Sequence, residues 1–188
     1  MILLTGFEPF GGADANPSWE AVCRVPDRVA AHDVHRLRLP VVYGEAAALL
    51  RDAIARLRPE LVICCGVANG RQAVTPELVA VNYRCAAIPD NAGQQYSGQP
   101  IDPAGPAAYM THLPIQDLIA AVKAAGVPCG LSLSAGAYVC NDVYFALLSA
   151  EAEYGHRGLF IHVPGEDAVS VDDMARAIAV CAEAALRA

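Results

Sequence analysis

The sequence predicts an α/β fold, a single three-layer α/β/α domain with a mostly parallel central sheet. Short apolar runs, of which residues 61–66 are the most continuous, have the composition of strands buried on both faces. Segments with apolar residues at helical spacing separate these runs. Strands that alternate with helices are typical of a parallel sheet covered by helices. Because 188 residues suffice for one well-packed core and are short for two, we expect one domain spanning residues 1–188.

Each element has its own local signal. A first helix begins at Pro17, with Asn16 or Ser18 near its cap, because proline is favoured in the first turn of a helix. In the other predicted helices apolar residues recur at intervals of three and four: residues 43–57, 115–125, 139–154 and 171–188. The predicted strands are short and mostly apolar: residues 2–5, 34–42, 61–66, 78–82, 130–134 and 158–163. A long polar connection, residues 88–106, follows the fourth strand.

The composition excludes several functional classes. The net charge is −7 without any basic run, so we expect neither nucleic acid nor an anionic membrane as a partner. No apolar run reaches the roughly 18 residues that a membrane-spanning helix needs. The seven cysteines are odd in number and contain no Cys-x-x-Cys pair, which disfavours a disulfide framework and a zinc site. We therefore expect a protein of a reducing compartment, the cytoplasm.

One cysteine lies in a context that suggests chemistry. Cys140 follows a Gly-containing turn, residues 134–138, at the predicted start of a helix. The unpaired N–H groups and the positive dipole end of a helix N-terminus stabilise a thiolate, the nucleophilic form of cysteine. The alternative is a buried structural thiol. The context makes Cys140 the candidate nucleophile.

A cysteine nucleophile needs a base, and His162 is the best placed of the five histidines. It lies near the C-terminal end of a predicted strand, where side chains of a parallel sheet reach a cleft. A core histidine bonded to a backbone carbonyl is the alternative. A third group usually orients such a histidine, and Glu77, just before a predicted strand, is the candidate. The alternative for Glu77 is an ordinary solvated carboxylate.

No metal or cofactor is expected. The loop of residues 66–71 contains glycines but lacks the Gly-Lys-Ser/Thr ending of a P-loop and does not match Gly-x-Gly-x-x-Gly. There is no His-Glu-x-x-His motif and no cluster of metal ligands along the chain.

The loop after the first strand combines aromatic and polar side chains. Phe7 and Phe10 lie among glycines and a proline. They either pack into the core or line a small apolar pocket. Asn16 follows them and offers a side-chain amide with one donor end and one acceptor end.

Five short motifs are distributed along the chain. They are Gly-Phe-Glu-Pro-Phe-Gly-Gly at 6–12 with Asn-Pro-Ser-Trp-Glu at 16–20, Pro-Glu-Leu-Val-Ala-Val-Asn at 76–82, Ile-Pro-Asp-Asn at 88–91, Ser-Ala-Gly-Ala-Tyr-Val-Cys-Asn at 134–141 and His-Val-Pro at 162–164. Together they resemble the motifs of the pyroglutamyl-peptidase I family of cysteine peptidases, also called pyrrolidone-carboxylate peptidases. The order Glu, Cys, His and the total length agree as well, so the resemblance covers essentially the whole chain.

The resemblance implies an α/β/α cysteine peptidase that removes an N-terminal pyroglutamyl residue from peptides. It implies Cys140 as the nucleophile, His162 as base and acid, and Glu77 as the carboxylate that orients the histidine. The residues that it implies for the substrate pocket are Phe7, Phe10, Asn16, Ile88, Tyr138 and Val139. Members of the family are often oligomers, such as dimers or tetramers, although no residue of this chain fixes a subunit count.

The chain departs from the family pattern in two places. Residues 85–87 read Cys-Ala-Ala where the family usually has Asp-Ala-Arg, and Gly-Glu-Asp at 165–167 stands where the family tends to be apolar. Both departures leave the catalytic residues in place. Two alternatives stay open: a non-catalytic pyroglutamyl-binding homologue, favoured by Ala87, and a phosphorylase-like enzyme, which the α/β pattern alone permits.

Overall fold

The computed structural model describes residues 1–188. Its strands are β1 (Ile2–Phe7), β2 (Arg28–Val29), β3 (His32–Leu39), β4 (Leu61–Val67), β5 (Thr75–Pro76), β6 (Val79–Val81), β7 (Arg84–Cys85), β8 (Ser97–Gln99), β9 (Ala108–Met110) and β10 (Arg157–Val163). Its helices are α1 (Pro17–Arg24), α2 (Glu45–Leu57), α3 (Ile115–Ala124), α4 (Val139–Ser149), α5 (Glu151–Tyr154) and α6 (Val171–Arg187). None of these helices is long and apolar enough to cross a membrane.

The central sheet has six strands in the order β2-β3-β1-β4-β10-β5. Its four long strands, β3, β1, β4 and β10, run parallel, and the short β2 and β5 close the two edges in antiparallel orientation. β1 is buried along its whole length, and β4 and β10 are buried at all but one terminal residue each. Strands buried on both faces need apolar side chains at successive positions, which explains the continuous apolar runs. The predicted fold class is confirmed.

Helices cover both faces of the sheet. Alternate residues of β1 enter opposite layers of the core, with Ile2 and Leu4 packed on the side of α1, α3 and α6, and Leu3 packed on the side of α2 and α4. The second layer also contains Phe160 of β10. This layer matters for the site, because α4 begins at the end of the sheet where β4 and β10 terminate.

The connection between β4 and α3 builds two small sheets outside the central one. β6 pairs with β9 and β7 pairs with β8, both antiparallel. At the start of this connection the backbone N–H of Glu77 donates to the carbonyl of Phe160 at 2.9 Å, next to the pairing of β5 with β10. The connection therefore carries Glu77 back to the strand that contains His162.

Most predicted elements are present, with shifted ends. The strand predicted at 34–42 ends at Leu39, before Pro40, because proline has no N–H for a ladder. The helix predicted at 139–154 is divided at Ala150, and the strand predicted at 78–82 belongs to the separate β6–β9 sheet. The strand predicted at 130–134 is wrong: apart from an isolated bridge between Ser132 and Glu77 and a few backbone hydrogen bonds, this segment is irregular, and its Leu131 and Leu133 are exposed.

Candidate active site

Cys140 lies in the first turn of α4, as its sequence context predicted. The turn before the helix contains Gly136, whose φ of +81° is a conformation that residues with a side chain rarely adopt. The helix begins at Val139, so Cys140 is its second residue. The N–H groups of Asn141 and Asp142 donate back to the carbonyl of Tyr138, whereas those of Val139 and Cys140 have no backbone acceptor. Two unpaired N–H groups thus accompany the thiol.

The thiol of Cys140 rests on the sheet at Gly66. A Cβ atom added to Gly66 would lie only 2.8 Å from the Cys140 Sγ, so a larger residue at this position would displace the sulfur. His162 is the direct partner of Gly66 in the neighbouring strand. Registered residues of parallel strands point to the same face, and that face is the one covered by α4. Strand pairing therefore brings Cys140 and His162 to one place.

The carboxylate of Glu77 forms a hydrogen bond with the imidazole of His162. The Nδ1 atom of His162 lies 2.6 Å from Oε1 of Glu77, and both side chains are buried. A carboxylate only accepts hydrogen bonds, so Nδ1 carries the proton and donates it. The Nε2 atom makes no hydrogen bond within the protein. This arrangement leaves the Nε2 lone pair free to accept a proton.

Burial shifts the pKa values of both Cys140 and His162. Burial lowers the pKa of His162, against the hydrogen bond and the charge of Glu77, which raise it. Burial also raises the pKa of Cys140 to about 12, and the charge of Glu77 acts in the same direction. Burial therefore acts on the pKa of Cys140 in the direction opposite to the one expected from a helix N-terminus. A thiol whose pKa is raised in this way needs a base to lose its proton, and the imidazole of His162 can serve as that base.

An apolar cavity opens beside Cys140, with an empty volume of about 300 Å³. Its lining residues are Phe7, Phe10, Asn16, Val41, Val67, Tyr138, Val139 and Cys140. Five of the six predicted pocket residues are among them. Ile88, the sixth, lies instead in a second depression that adjoins the cavity, and it is half exposed. Val41 and Val67 were not predicted; Val67 had the available signal that it follows Gly66 at the end of a buried strand.

Asn16 has less free hydrogen-bonding capacity than its sequence position suggested. Its Oδ1 accepts from the N–H and the hydroxyl of Ser18 at 3.1 and 2.8 Å, and its Nδ2 donates to the carbonyl of Glu8 at 2.9 Å. Asn16 is the N-cap of α1, in agreement with one of the two caps predicted. Only its second Nδ2–H remains for a ligand. Asn16 can therefore donate to a carbonyl in the cavity but has no free lone pair for an N–H.

Arg71 is a member of the site that the sequence analysis missed. Its NH1 donates to Oε1 of Glu77 at 2.8 Å and also contacts the hydroxyl of Thr75. Glu77 Oε1 is thus shared by a guanidinium and an imidazole, while Glu77 Oε2 is buried without a partner. The only available signal was the arginine six residues before the candidate glutamate, in a loop considered for phosphate binding alone. No group of three or more His, Cys, Asp or Glu side chains is placed to hold a metal ion.

The chain is similar to known proteins along its whole length. The family model for pyroglutamyl peptidase matches residues 1–188. A pyrrolidone-carboxylate peptidase of Streptomyces coelicolor is 48% identical over 166 residues, which cover 87% of this chain and 77% of that protein. One of Bacillus amyloliquefaciens is 43% identical over 171 residues, with the same two coverages.

Solved structures agree with the sequence comparison. The crystal structure of Bacillus amyloliquefaciens pyroglutamyl peptidase I superimposes with a TM-score of 0.93 at 38% identity, over 100% of this chain and 97% of that one. The pyrrolidone carboxyl peptidase of Pyrococcus furiosus superimposes with a TM-score of 0.92 at 35% identity, over 99% and 98% of the two chains. With the family model matched from end to end, the chain belongs to the pyroglutamyl peptidase family.

Proposed function

We propose that this protein is a pyroglutamyl-peptidase I, a cysteine-type hydrolase that removes an N-terminal pyroglutamyl residue from peptides. Residues 1–188 would act as one catalytic domain. The observation that carries the proposal is the convergence at one end of the sheet of the Cys140 thiol, the His162–Glu77 pair and an apolar cavity. Family membership supports the same activity.

The cavity has the chemistry that a pyroglutamyl ring requires. Pyroglutamate is an uncharged lactam, and the cavity is lined mainly by apolar side chains, including Phe7, Phe10 and Tyr138. The free Nδ2–H of Asn16 can donate to the ring carbonyl. An ordinary peptide would bring a charged amino terminus into a cavity that holds no carboxylate, and burying an unpaired charge is costly. We expect this difference to exclude peptides with a free N-terminus.

From a protonated Cys140 and a neutral His162, the reaction would proceed as follows. As Cys140 Sγ attacks the pyroglutamyl carbonyl, the Nε2 atom of His162 takes the thiol proton. The unpaired N–H groups of Val139 and Cys140 supply donors for the oxyanion. His162 then returns the proton to the departing amine, which leaves a thioester on Cys140. A water molecule, deprotonated by His162, attacks the thioester; the C–S bond breaks, pyroglutamate leaves, and His162 returns the proton to the Cys140 sulfur.

The decisive test of the activity compares thiol variants on a fluorogenic pyroglutamyl amide. Cys140→Ala and Cys140→Ser should lower kcat/KM by at least about 10³-fold, since loss of a nucleophile removes the covalent route. Cys23→Ser is the control, because Cys23 is an exposed thiol on the opposite side of the sheet. Circular dichroism should show that all variants fold. Turnover by Cys140→Ser within about tenfold of wild type would refute the proposal.

The two alternatives find less support in the site. The cavity has no arginine or lysine in its lining, as a phosphorylase would need for phosphate. A non-catalytic homologue would have no use for the free Nε2 of His162 opposite Glu77. Independence of turnover from added phosphate would count against the first alternative, and thiol-dependent turnover against the second.

Partners and location follow from the same proposal. The expected partners are peptides with N-terminal pyroglutamate, and the net charge of −7 disfavours nucleic acid and anionic membranes. The cytoplasm is the proposed compartment, since all seven cysteines are free thiols. A homo-oligomer, a dimer or tetramer, is also proposed; light scattering of the purified protein would measure the subunit number.

A further inference from the structure

A second depression adjoins the apolar cavity. It shares Phe10 and Val67 with the cavity and has an empty volume of about 1130 Å³. The rest of its lining includes Asn69, Ile88, Gly165, Glu166 and Asp167. We call this depression the outer groove. It is larger than the cavity and more open, so it suits a peptide chain better than a small ring.

The outer groove is lined by the segments that follow the reacting ends of β4 and β10. Val67 follows Gly66, the residue on which the Cys140 thiol rests, and Gly165 comes three residues after His162. Both segments extend the C-terminal ends of β4 and β10, which are paired at Gly66 and His162. With the pyroglutamyl ring in the cavity, a peptide chain that leaves it across the shared wall, Phe10 and Val67, enters the outer groove.

The charged side chains that line the outer groove are all acidic. Glu166 and Asp167 are both exposed, and every arginine that forms an ion pair does so with another acid. The lining includes no lysine or arginine. Asn69 Oδ1 lies on the same side as Asp167 Oδ1: the two oxygens are 3.9 and 2.5 Å from the position of a Cβ on Gly165. Two exposed carboxylates and the side-chain amide of Asn69 thus line the groove.

We infer that the outer groove binds the peptide on the leaving side of the scissile bond and selects a basic side chain there, through Glu166 and Asp167. The inference rests on the proposed function and names its substrate class: pyroglutamyl peptides with lysine or arginine soon after the pyroglutamyl residue. Each exposed ion pair contributes little, so the preference for a basic over an acidic residue should be about three- to tenfold in kcat/KM. Because the groove is open to solvent, salt should weaken this preference.

The test uses three peptides that differ at one position. Pyroglutamyl peptides with lysine, glutamine or glutamate directly after the ring are digested, and the released amine is quantified by chromatography. We expect wild-type kcat/KM to fall in the order lysine, glutamine, glutamate at about 0.01 M ionic strength, and the differences to shrink at about 1 M. In the double variant Glu166→Gln/Asp167→Asn the lysine-to-glutamate ratio should approach one.

Controls separate this inference from the proposed activity. The double variant Asp117→Asn/Glu183→Gln removes the same two charges from exposed positions on α3 and α6, and it should keep the wild-type ratio. Hydrolysis of an uncharged pyroglutamyl aminocoumarin measures the pyroglutamyl chemistry alone. If wild type fails on that substrate, the proposed function is refuted. If wild type cleaves it but shows equal rates for the three peptides, or a ratio that survives Glu166→Gln/Asp167→Asn, only the role of the outer groove is overturned.

Discussion

Two buried carboxylates, Glu77 and Asp142, each pair with an arginine. They differ in how many of their oxygens accept a hydrogen bond. Both side chains are fully buried, and each pairs with an arginine, at 2.8 Å for Arg71 and 2.6 Å for Arg84. Asp142 Oδ1 accepts from Arg84, and its Oδ2 accepts the N–H of Gly44 at 3.0 Å. Glu77 receives both of its donors on Oε1, and its Oε2 has none.

The comparison separates a carboxylate that stabilises the fold from one that serves the site. Asp142 connects the first turn of α4 to the start of α2 and to Arg84, and its negative charge is favourable at a helix N-terminus. A buried oxygen without a donor costs stability, so Glu77 is a poor choice for holding the fold together. What it does provide is the orientation of His162. We therefore expect variants of the two residues to affect different measurements.

The largest expected effect is on turnover at Glu77. Glu77→Ala should lower kcat by about 10²- to 10⁴-fold, because the imidazole loses the partner that fixes its orientation and tautomer. Glu77→Gln, which keeps an acceptor oxygen without the charge, should lower kcat less. Both variants should still react with iodoacetamide at Cys140, as followed by mass spectrometry. Wild-type turnover by Glu77→Ala would show that another residue, such as Asn82 or Asp90, orients His162.

The second effect concerns stability at Asp142. Asp142→Asn should lower the free energy of unfolding by about 3–5 kcal/mol, since it leaves Arg84 without its buried partner. Glu77→Gln should cost less, because one of the Glu77 oxygens is already unsatisfied. Urea unfolding followed by circular dichroism measures both values. Equal losses for the two variants would contradict the distinction between them.

A third effect tests the arginine partners. Arg71→Ala should lower kcat by about tenfold through the misplaced Glu77, while Arg71→Lys should restore part of the loss. The charge of Arg71 lowers the pKa of His162, so its removal should move the acid limb of the pH–rate profile to higher pH. Arg84→Lys is the matched control and should leave the acid limb in place. An unshifted limb in Arg71→Ala would assign Arg71 to the fold alone.

The smallest expected effect is a shift of the acid limb of the wild-type pH–rate profile to low pH. His162 must be neutral to accept the thiol proton, and burial lowers its pKa below the ordinary value of about 6.5. Activity should therefore persist as pH falls through 6.5 and be lost only below it, within a bell-shaped profile whose limits belong to the Cys140–His162 pair. Rates between about pH 4 and 10 with an uncharged substrate measure this. Half-maximal activity clearly above pH 6.5 would contradict a buried neutral imidazole.

The sequence indicated the main site residues because their signals are local. The helix start at Cys140, the apolar strand that ends near His162 and the aromatic loop of Phe7 and Phe10 are each visible within about ten residues. The motifs then related these segments to one family. Arg71 was not predicted because its contact with Glu77 depends on the path of the loop between them. The effect of burial on the pKa of Cys140 was not predicted for a related reason: a helix N-terminus can be inferred locally, but the depth at which it is buried cannot.

The sequence by itself determined the α/β class, the apolar strands and the identity of the chemical groups, since these depend on side-chain type and spacing. Tertiary structure alone decided how those groups meet. Glu77 and His162 are 85 positions apart and touch because β5 pairs with the end of β10, while the pairing of β4 with β10 sets Gly66, under the Cys140 sulfur, beside His162. Strand register and burial are properties of contacts between distant segments. They also determined that burial raises the pKa of Cys140 and that Ile88 lines the outer groove instead of the cavity.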